Sequence, residues 1–390
     1  MKCLILAATI VVGTIAGCQN QQEAKIEAYK RWQHSRAQVV NAIGVDQLKA
    51  GQLDRAGTKA HEALALDDDY TDARLLLSKV YIEQGRYSAA ITELEKVCAK
   101  SPNSYDAHYL LGVAKEKDGQ LEAALDDYRK AQAINGTSID AVMAAAEVLV
   151  TLGRIDEAGD YVESYVDKAG DEPGMFELAG KIAMMRQNFT AAARYYQQAC
   201  DFAPKNHRYA EELARSQFLC RDYAEAAATI KNLRLSKDYA PQPWLLAMLG
   251  DCCLATGKTA DARDAFLAAG EIDPSSALVW ANVAKAALAL GDVPRAVLSA
   301  RRALSIDSEC LEAQLLLGYA LLRNSQAVQA LAVLKQTVAA HPDNGMALCL
   351  LGRAHAAAGD APKARQCYGD ALRHEPGNEL AKELLADAGR

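Results

Sequence analysis

The strongest constraint on the fold of this chain is a pattern that returns every 34 residues from residue 37 onward. In each unit an apolar residue is followed by a small one, and a turn position lies seven residues after the small one. An alanine lies five residues beyond the turn in all ten units. A unit of this length cannot enclose a core of its own, so the pattern predicts a stack of small units in place of two or three ordinary domains.

Each unit is predicted to hold two helices, A and B, joined by a tight turn. Glycine is common at the turn because it accepts a positive φ without a steric penalty from Cβ. The turn positions are Gly51, Gly85, Gly119, Gly153, Gln187, Arg221, Gly257, Gly291, Ser325 and Gly359. The helix B alanines are Ala56, Ala90, Ala124, Ala158, Ala192, Ala226, Ala262, Ala296, Ala330 and Ala364. Hydrophobic residues make up 51% of the chain but aromatic ones only 6%, which favours close packing of helices through small side chains.

The positions of the small residues, the apolar residues and the helix-ending turns resemble the motif of the tetratricopeptide repeat (TPR) family over residues 37–378. The resemblance implies an all-α fold, a right-handed superhelical α-solenoid of ten TPR helix-turn-helix repeats. Repeats 1–6 occupy residues 37–242, repeats 7–10 occupy residues 243–378, and a capping helix is predicted at 379–390. Repeat six is two residues longer than the others and carries proline on both sides of Gln242, which predicts a change of superhelical pitch or a hinge after it.

The first 18 residues have the outline of an export signal: a positive start, an apolar run from Leu4 to Ile15, and small residues before Cys18. The four residues that end at Cys18 resemble the lipobox of bacterial lipoproteins. That resemblance implies a signal peptide at 1–17, lipidation of Cys18, and a lipidated tether and N-terminal helix at 18–36. An ordinary secretory signal that contains a cysteine and a retained membrane helix are the alternatives. Gln19 in place of an aspartate implies the outer membrane, facing the periplasm, within the bacterial cell envelope.

In TPR proteins the concave wall is built mainly from helix A, and ligands lie along it. The resemblance implies that the residue after each small residue faces this groove, and five of the ten such residues are basic. They predict a basic stripe for an extended acidic partner, although solvated positions neutralised by nearby carboxylates would have the same composition. Aromatic residues near the groove are hot-spot candidates that could instead pack into the next repeat. The candidate binding residues are Lys79, Tyr109, Lys181, Arg215, Phe218, Trp244, Lys285, Tyr319 and Arg353.

Signals for catalysis are absent from the sequence. The seven histidines have no shared short spacing, and the adjacent Cys252 and Cys253 would point about 100° apart on a helix. We therefore predict no catalytic residues, no metal and no cofactor. A formal charge of −7 argues against nucleic acid as a partner. The remaining cysteines could pair in an oxidising compartment, but their repeat positions favour no particular pair.

The sequence thus predicts a non-enzymatic scaffold for protein–protein interaction. It would be anchored by lipid to the envelope membrane and would organise a periplasmic assembly such as pilus, secretion or envelope machinery. Its partners would be proteins, bound through extended peptide or surface segments. The alternative is a helper in exopolysaccharide export whose concave groove binds an acidic glycan.

Overall fold

The computed structural model describes the backbone of residues 2–168 and 170–388, and the side chains of residues 22, 24–168 and 170–388. Every regular element in these residues is an α-helix. The chain forms two compact units, Met1–Arg186 (unit 1) and Gln187–Arg390 (unit 2). The prediction of a helical repeat solenoid is confirmed.

The described residues of unit 1 contain nine helices: α1 (Lys2–Lys49), α2 (Leu53–Leu66), α3 (Thr71–Glu83), α4 (Tyr87–Lys100), α5 (Tyr105–Lys117), α6 (Leu121–Ile134), α7 (Ile139–Thr151), α8 (Ile155–Val166) and α9 (Pro173–Met185). Unit 2 contains α10 (Phe189–Phe202), α11 (His207–Leu219), α12 (Tyr223–Arg234), α13 (Pro243–Ala255), α14 (Thr259–Ile272), α15 (Ala277–Ala289), α16 (Val293–Ile306), α17 (Leu311–Arg323), α18 (Ala327–Ala340), α19 (Gly345–Ala357), α20 (Ala361–His374) and α21 (Glu379–Asp387). From α3 onward the odd-numbered helices up to α19 are the predicted A helices, and the even-numbered ones are the B helices.

Several helices begin where a polar side chain caps the first turn. The cap oxygen accepts a hydrogen bond from a backbone N–H three residues further on, which satisfies one of the free donors at a helix start. The residues that cap in this way are Ser104, Asn188, Asp292, Asn344, Asp360 and Asn378. Local sequence therefore contributes directly to these helix starts.

Small residues let the two helices of a repeat approach closely. All ten helix B alanines are fully buried. The small residue of helix A also makes room for helix B. A large side chain of helix B, 16 residues after the small residue, fills the space that a Cβ would occupy. A Cβ on Gly112 would lie 2.7 Å from the Tyr128 ring, and one on Gly318 would lie 2.5 Å from Leu334 Cδ2. The predicted pattern of small residues is thus the contact surface between paired helices.

The turn between the helices has a positive φ in every repeat. Seven of the ten turn residues are glycines, for which this conformation carries no Cβ penalty. Gln187, Arg221 and Ser325 adopt it as well, at 58°, 67° and 59°. The repeat geometry therefore imposes the left-handed turn even where the residue disfavours it.

This strain leads to a testable expectation in unit 2. Ser325→Gly should raise the free energy of unfolding by up to about 1 kcal/mol, because the roughly 1–2 kcal/mol cost of an L residue in the left-handed region exceeds the ~0.5–1 kcal/mol of added backbone entropy. Asn324→Gly is the matched control. Asn324 has a φ of −90°, so its replacement should lower stability through the added backbone entropy of the unfolded chain. Denaturant midpoints that move in the same direction for both variants would show that Ser325 is not strained in this turn.

The two extra residues of repeat six lie in the loop between α12 and α13. This loop is held to α11, since Tyr239 donates a hydrogen bond to Glu211 over 2.7 Å and its ring meets His207 edge-on. The core continues across the loop, where Leu233 and Leu245 join one buried cluster. The division between the compact units falls in the turn of repeat five instead, and a hinge after residue 242 stays a prediction.

Helix α1 runs without interruption from Lys2 to Lys49, through the predicted signal, the tether and the first A helix. The side chain of Cys18 lies outside the described residues, so its lipidation stays a prediction. Within the part of the chain that is described, no helix is both long enough and apolar enough to cross a membrane.

Candidate functional site

The A helices of unit 2 form a continuous wall, because α13, α15, α17 and α19 each contact the next. Lys285 on α15 reaches Asp251 on α13, with Nζ 2.7 Å from Oδ1. These two residues occupy the predicted groove position in successive repeats. The side chains at this position therefore meet across neighbouring A helices, as residues of one shared face would.

Tyr319 on α17 lies close to two guanidinium groups on this face. The Arg353 guanidinium lies 5.5 Å from the centre of the Tyr319 ring, and that of Arg323 lies 5.9 Å from it. Arg323 also donates a hydrogen bond to Tyr319 Oη over 3.3 Å. Neither arginine forms an ion pair with any side chain that the structure describes. Two cations on one ring leave several N–H donors available to an incoming carboxylate.

Arg323 was missed by the sequence reasoning, which followed the residue after each small one and a second row of apolar residues. The available signal was its spacing, since residues four apart on a helix lie on the same face. We call Tyr319, Arg323 and Arg353 the Tyr319 cluster.

Three large apolar side chains extend the same face toward the start of the A helices. Trp244, Leu278 and Met346 each lie six residues before the small residue of their repeat and are 45%, 54% and 45% exposed. Repeat nine has Glu312 at this position. A recurrent exposed apolar position on a binding wall is typical of anchor sites for a partner's side chains.

The predicted basic stripe is only partly free to bind an anion. Lys181 pairs with Glu177 over 2.7 Å, and Lys285 pairs with Asp251, so carboxylates neutralise both. Lys79 and Arg215 are exposed, and neither forms an ion pair among the described side chains. The predicted stripe is therefore not continuous, and each unit has separate basic positions.

Tyr109 in unit 1 lies in a different electrostatic environment. Its ring stacks on Tyr105 at 5.8 Å and contacts Tyr128 at 5.6 Å, while Tyr128 donates a hydrogen bond to Glu116 over 2.7 Å. Burial raises the pKa of Tyr109, and the carboxylates of Asp140, Glu116 and Glu147 raise it further. The surroundings of Tyr109 are thus acidic, opposite in sign to the Tyr319 cluster.

Phe218 is mainly a packing residue. Its ring meets Tyr223 edge-on at 5.5 Å and packs against the buried cluster around Phe266. Packing within the fold was the predicted alternative to exposure of Phe218 in the groove.

A cysteine, a histidine and an aspartate also meet inside unit 1, where the sequence carries no signal because they lie on three helices. Cys98 Sγ is 3.8 Å from His108 Nδ1, and Asp127 Oδ1 is 3.5 Å from the same nitrogen. His108 Nε2 faces the carbonyl oxygen of Pro102 at 3.0 Å. A nucleophile and an orienting acid must occupy opposite nitrogens of the catalytic histidine, so this is not a catalytic triad.

The cysteines with described side chains are free thiols. Burial raises the pKa of Cys200 and of Cys349 to about 11, and burial chiefly raises that of Cys252 to about 12. A thiol that stays protonated is a poor nucleophile and a poor metal ligand. Among the side chains that the structure describes, no group of three or more histidines, cysteines and carboxylates is arranged to hold a metal ion.

Comparison with known proteins places these features in a family. One tetratricopeptide repeat model matches residues 47–115 and 321–388, and a second matches residues 212–277 and 283–345. A model described as anaphase-promoting complex, cyclosome, subunit 3 matches residues 88–165. No curated protein matches the chain.

Several solved structures resemble this chain. A chain of the APC/C hetero-tetramer Cut9–Hcn1 is 11% identical, with a TM-score of 0.47 over 91% of this chain and 96% of that one. The P58(IPK) TPR domain is 17% identical, with a TM-score of 0.38 over 91% and 98%. TTC0263, a thermophilic TPR protein of Thermus thermophilus, is 20% identical, with a TM-score of 0.37 over 47% and 99%.

The matched repeat models cover parts of both compact units, and the positive-φ turns and buried alanines recur in all ten repeats. Proteins built from such repeats are typically non-enzymatic. The chain belongs to the tetratricopeptide repeat family, and its fold is a scaffold for protein–protein interaction.

Proposed function

We propose that this protein binds an extended segment of a partner protein along the A helices of unit 2 while a lipid on Cys18 anchors it to the envelope membrane. The location that fits the N-terminal sequence is the outer membrane, facing the periplasm, within a pilus, secretion or envelope machine. The observation that carries the proposal is the Tyr319 cluster, which lies on the same wall as the exposed apolar residues Trp244, Leu278 and Met346.

The two parts of this wall fit two kinds of side chain. Guanidinium groups bind carboxylates through paired N–H donors, so the Tyr319 cluster fits an acidic side chain or a chain terminus. The exposed apolar row fits apolar side chains at intervals along an extended peptide. Anchoring would confine this wall near the membrane and raise its effective concentration for partners held there.

The first test is site-specific photo-cross-linking in cells of the source bacterium. A photoreactive residue at Leu278 should give a discrete adduct with one partner protein. The same residue at Leu298 is the control, since Leu298 is 69% exposed but lies on the B helix α16. Equal adducts at both positions, or none at Leu278, would contradict binding along the A helices.

We expect the arginines of the Tyr319 cluster to dominate affinity for that partner. Arg323→Gln with Arg353→Gln should weaken binding about 30-fold or more, which is the loss of roughly 2 kcal/mol typical of a hot spot. Arg301→Gln is the control, since Arg301 is exposed on α16 and its described contact is an amide, Gln329. Titration by calorimetry would measure both. If only the Arg301 variant lost affinity, the Tyr319 cluster would not be the binding site.

The anchor and the glycan alternative have separate tests. Cell fractionation should find the intact protein with the membrane and the Cys18→Ala protein unprocessed or released. If the Cys18→Ala protein is processed and attached like the intact one, the lipoprotein assignment fails. Saturable binding of a uronate polymer that depends on Arg323 and Arg353, without a protein adduct at Leu278, would replace the peptide proposal with the acidic-glycan function.

A further inference from the structure

Helix α1 carries an exposed row of side chains in front of the first repeat. Lys25, Tyr29, Trp32, Arg36, Val39 and Ile43 follow one another at intervals of four and three residues, so they share one helix face. Trp32 is 51% exposed and Val39 is 63% exposed. We call these six residues the α1 stripe. It extends over roughly 27 Å at 1.5 Å per residue.

The position of Ile43 explains why this face is uncovered. Ile43 is 45% exposed, whereas the equivalent residues of the next two repeats, Leu77 and Leu111, are 2% and 4% exposed. In those repeats the preceding helix pair covers the position, and α1 has no preceding pair in the described chain. The opposite side of α1 is packed normally, since Ala37 is buried with Ala63 and Ala73. The α1 stripe is therefore a largely apolar face that no other part of the described chain covers.

The charges on the stripe indicate what could cover it. Its two charged residues, Lys25 and Arg36, are both cationic, and the Arg36 guanidinium lies 5.1 Å from the Trp32 ring centre. The carboxylate of Glu27, on the opposite side of α1, is paired with Arg31. A second copy packed in parallel would bring Lys25 and Arg36 against their own counterparts, and like charges in a shared interface are unfavourable. Since both charges on the stripe are positive, the surface that complements it is anionic.

We propose that the α1 stripe lies flat on an anionic lipid bilayer. Tryptophan and tyrosine favour the bilayer interface because their rings are apolar and their tips polar. Lysine and arginine can bury their aliphatic stems beside these rings and keep their charges among lipid phosphates. The inference rests on the proposed function in one respect, since Cys18 lies about 10 Å before Lys25 along the helix and its lipid would hold the stripe at the membrane. The repeats would then be oriented by α1 as well as tethered.

The test places a single tryptophan at the surface in question. Full-length protein with Trp244→Phe and Trp280→Phe retains Trp32 alone, because the chain has three tryptophans. It would be reconstituted on phosphatidylglycerol-rich vesicles that contain lipids brominated on the acyl chain. Trp32 emission should shift to the blue and be quenched. The matched control adds Trp32→Phe and Glu27→Trp, since Glu27 lies on the opposite side of α1, and its emission should be unquenched.

A second pair of variants tests the charges. Lys25→Glu with Arg36→Glu should abolish quenching of Trp32 while flotation still finds the protein on the vesicles, because attachment through the N-terminus is unchanged. Equal quenching in this variant, or no quenching of Trp32 in the parent, would overturn the proposal. Iodide quenching of Trp32 would also be measured without vesicles. If Trp32 becomes better protected from iodide as the protein concentration rises, the stripe binds a second copy of the chain instead. Retention of the Leu278 adduct in a Lys25→Glu, Arg36→Glu protein that keeps Trp244 and Trp280 would show that failure here leaves the peptide-binding proposal intact.

Discussion

Asp127→Ala should lower the stability of unit 1 by about 3–5 kcal/mol, the range found when one partner of a buried ion pair is removed. Asp127 on α6 is 2% exposed, and its carboxylate lies 2.6 Å from Lys115 Nζ on α5 and 3.3 Å from Lys130 Nζ. The side chain of Lys115 is only 16% exposed, so the variant leaves a largely buried ammonium without its acceptor.

The local loss would be read by hydrogen exchange of peptides from α5 and α6, because a repeat stack does not unfold as one two-state domain. Asp126→Ala is the matched control. Asp126 is exposed and adjacent in sequence, and its replacement should change stability by less than about 0.5 kcal/mol. The double variant Asp127→Leu with Lys115→Met should recover most of the loss, because an apolar pair can replace a buried ion pair at little cost. Equal exchange in the Asp127 and Asp126 single variants would show that the ion pair carries no stability.

Phe266→Ala should cost about 3–5 kcal/mol in unit 2, because truncation of a buried aromatic side chain leaves a cavity. Phe266 on α14 is fully buried, and its ring fills the space above Gly250 on α13. A Cβ at Gly250 would overlap this ring. Gly250→Ala alone should therefore also destabilise, by about 1–3 kcal/mol through overpacking.

The combination of these two variants provides the decisive check. In the Phe266→Ala protein, the methyl group that Gly250→Ala adds enters an empty space. The second substitution should therefore leave the stability of the Phe266→Ala protein unchanged or raise it. A double-mutant cycle measured by hydrogen exchange of peptides from α13 and α14 would give this coupling. Strictly additive losses would mean that the two residues do not share the contact.

The prediction of buried alanines and left-handed turns from the repeat succeeded because both depend on local sterics. Ala262 and Ala296 must be small wherever two helices approach, and the turn at Gly257 or Gly291 needs a positive φ regardless of what surrounds the repeat. Such constraints act at the same place in every unit, so a single sequence displays them ten times. This recurrence determined the helix pairs, their turns and the family.

The character of the candidate site depended on tertiary contacts. Lys285 and Arg353 occupy the same repeat position, yet Lys285 meets a carboxylate from the preceding A helix whereas Arg353 meets the Tyr319 ring. The partner comes from a residue 34 positions away that the repeat pattern leaves free to vary, so spacing alone could not tell a neutralised lysine from an available arginine.

By itself the sequence determined that the chain is a stack of paired helices, because close approach and turn geometry restrict residue size at fixed positions. Only the tertiary structure decided which polar groups are satisfied internally. It buried Asp127 beside Lys115, left Arg323 and Arg353 on Tyr319, and left the α1 stripe uncovered. The physical reason is that charge pairing and burial depend on which side chains of neighbouring helices meet, and those neighbours are distant in the chain.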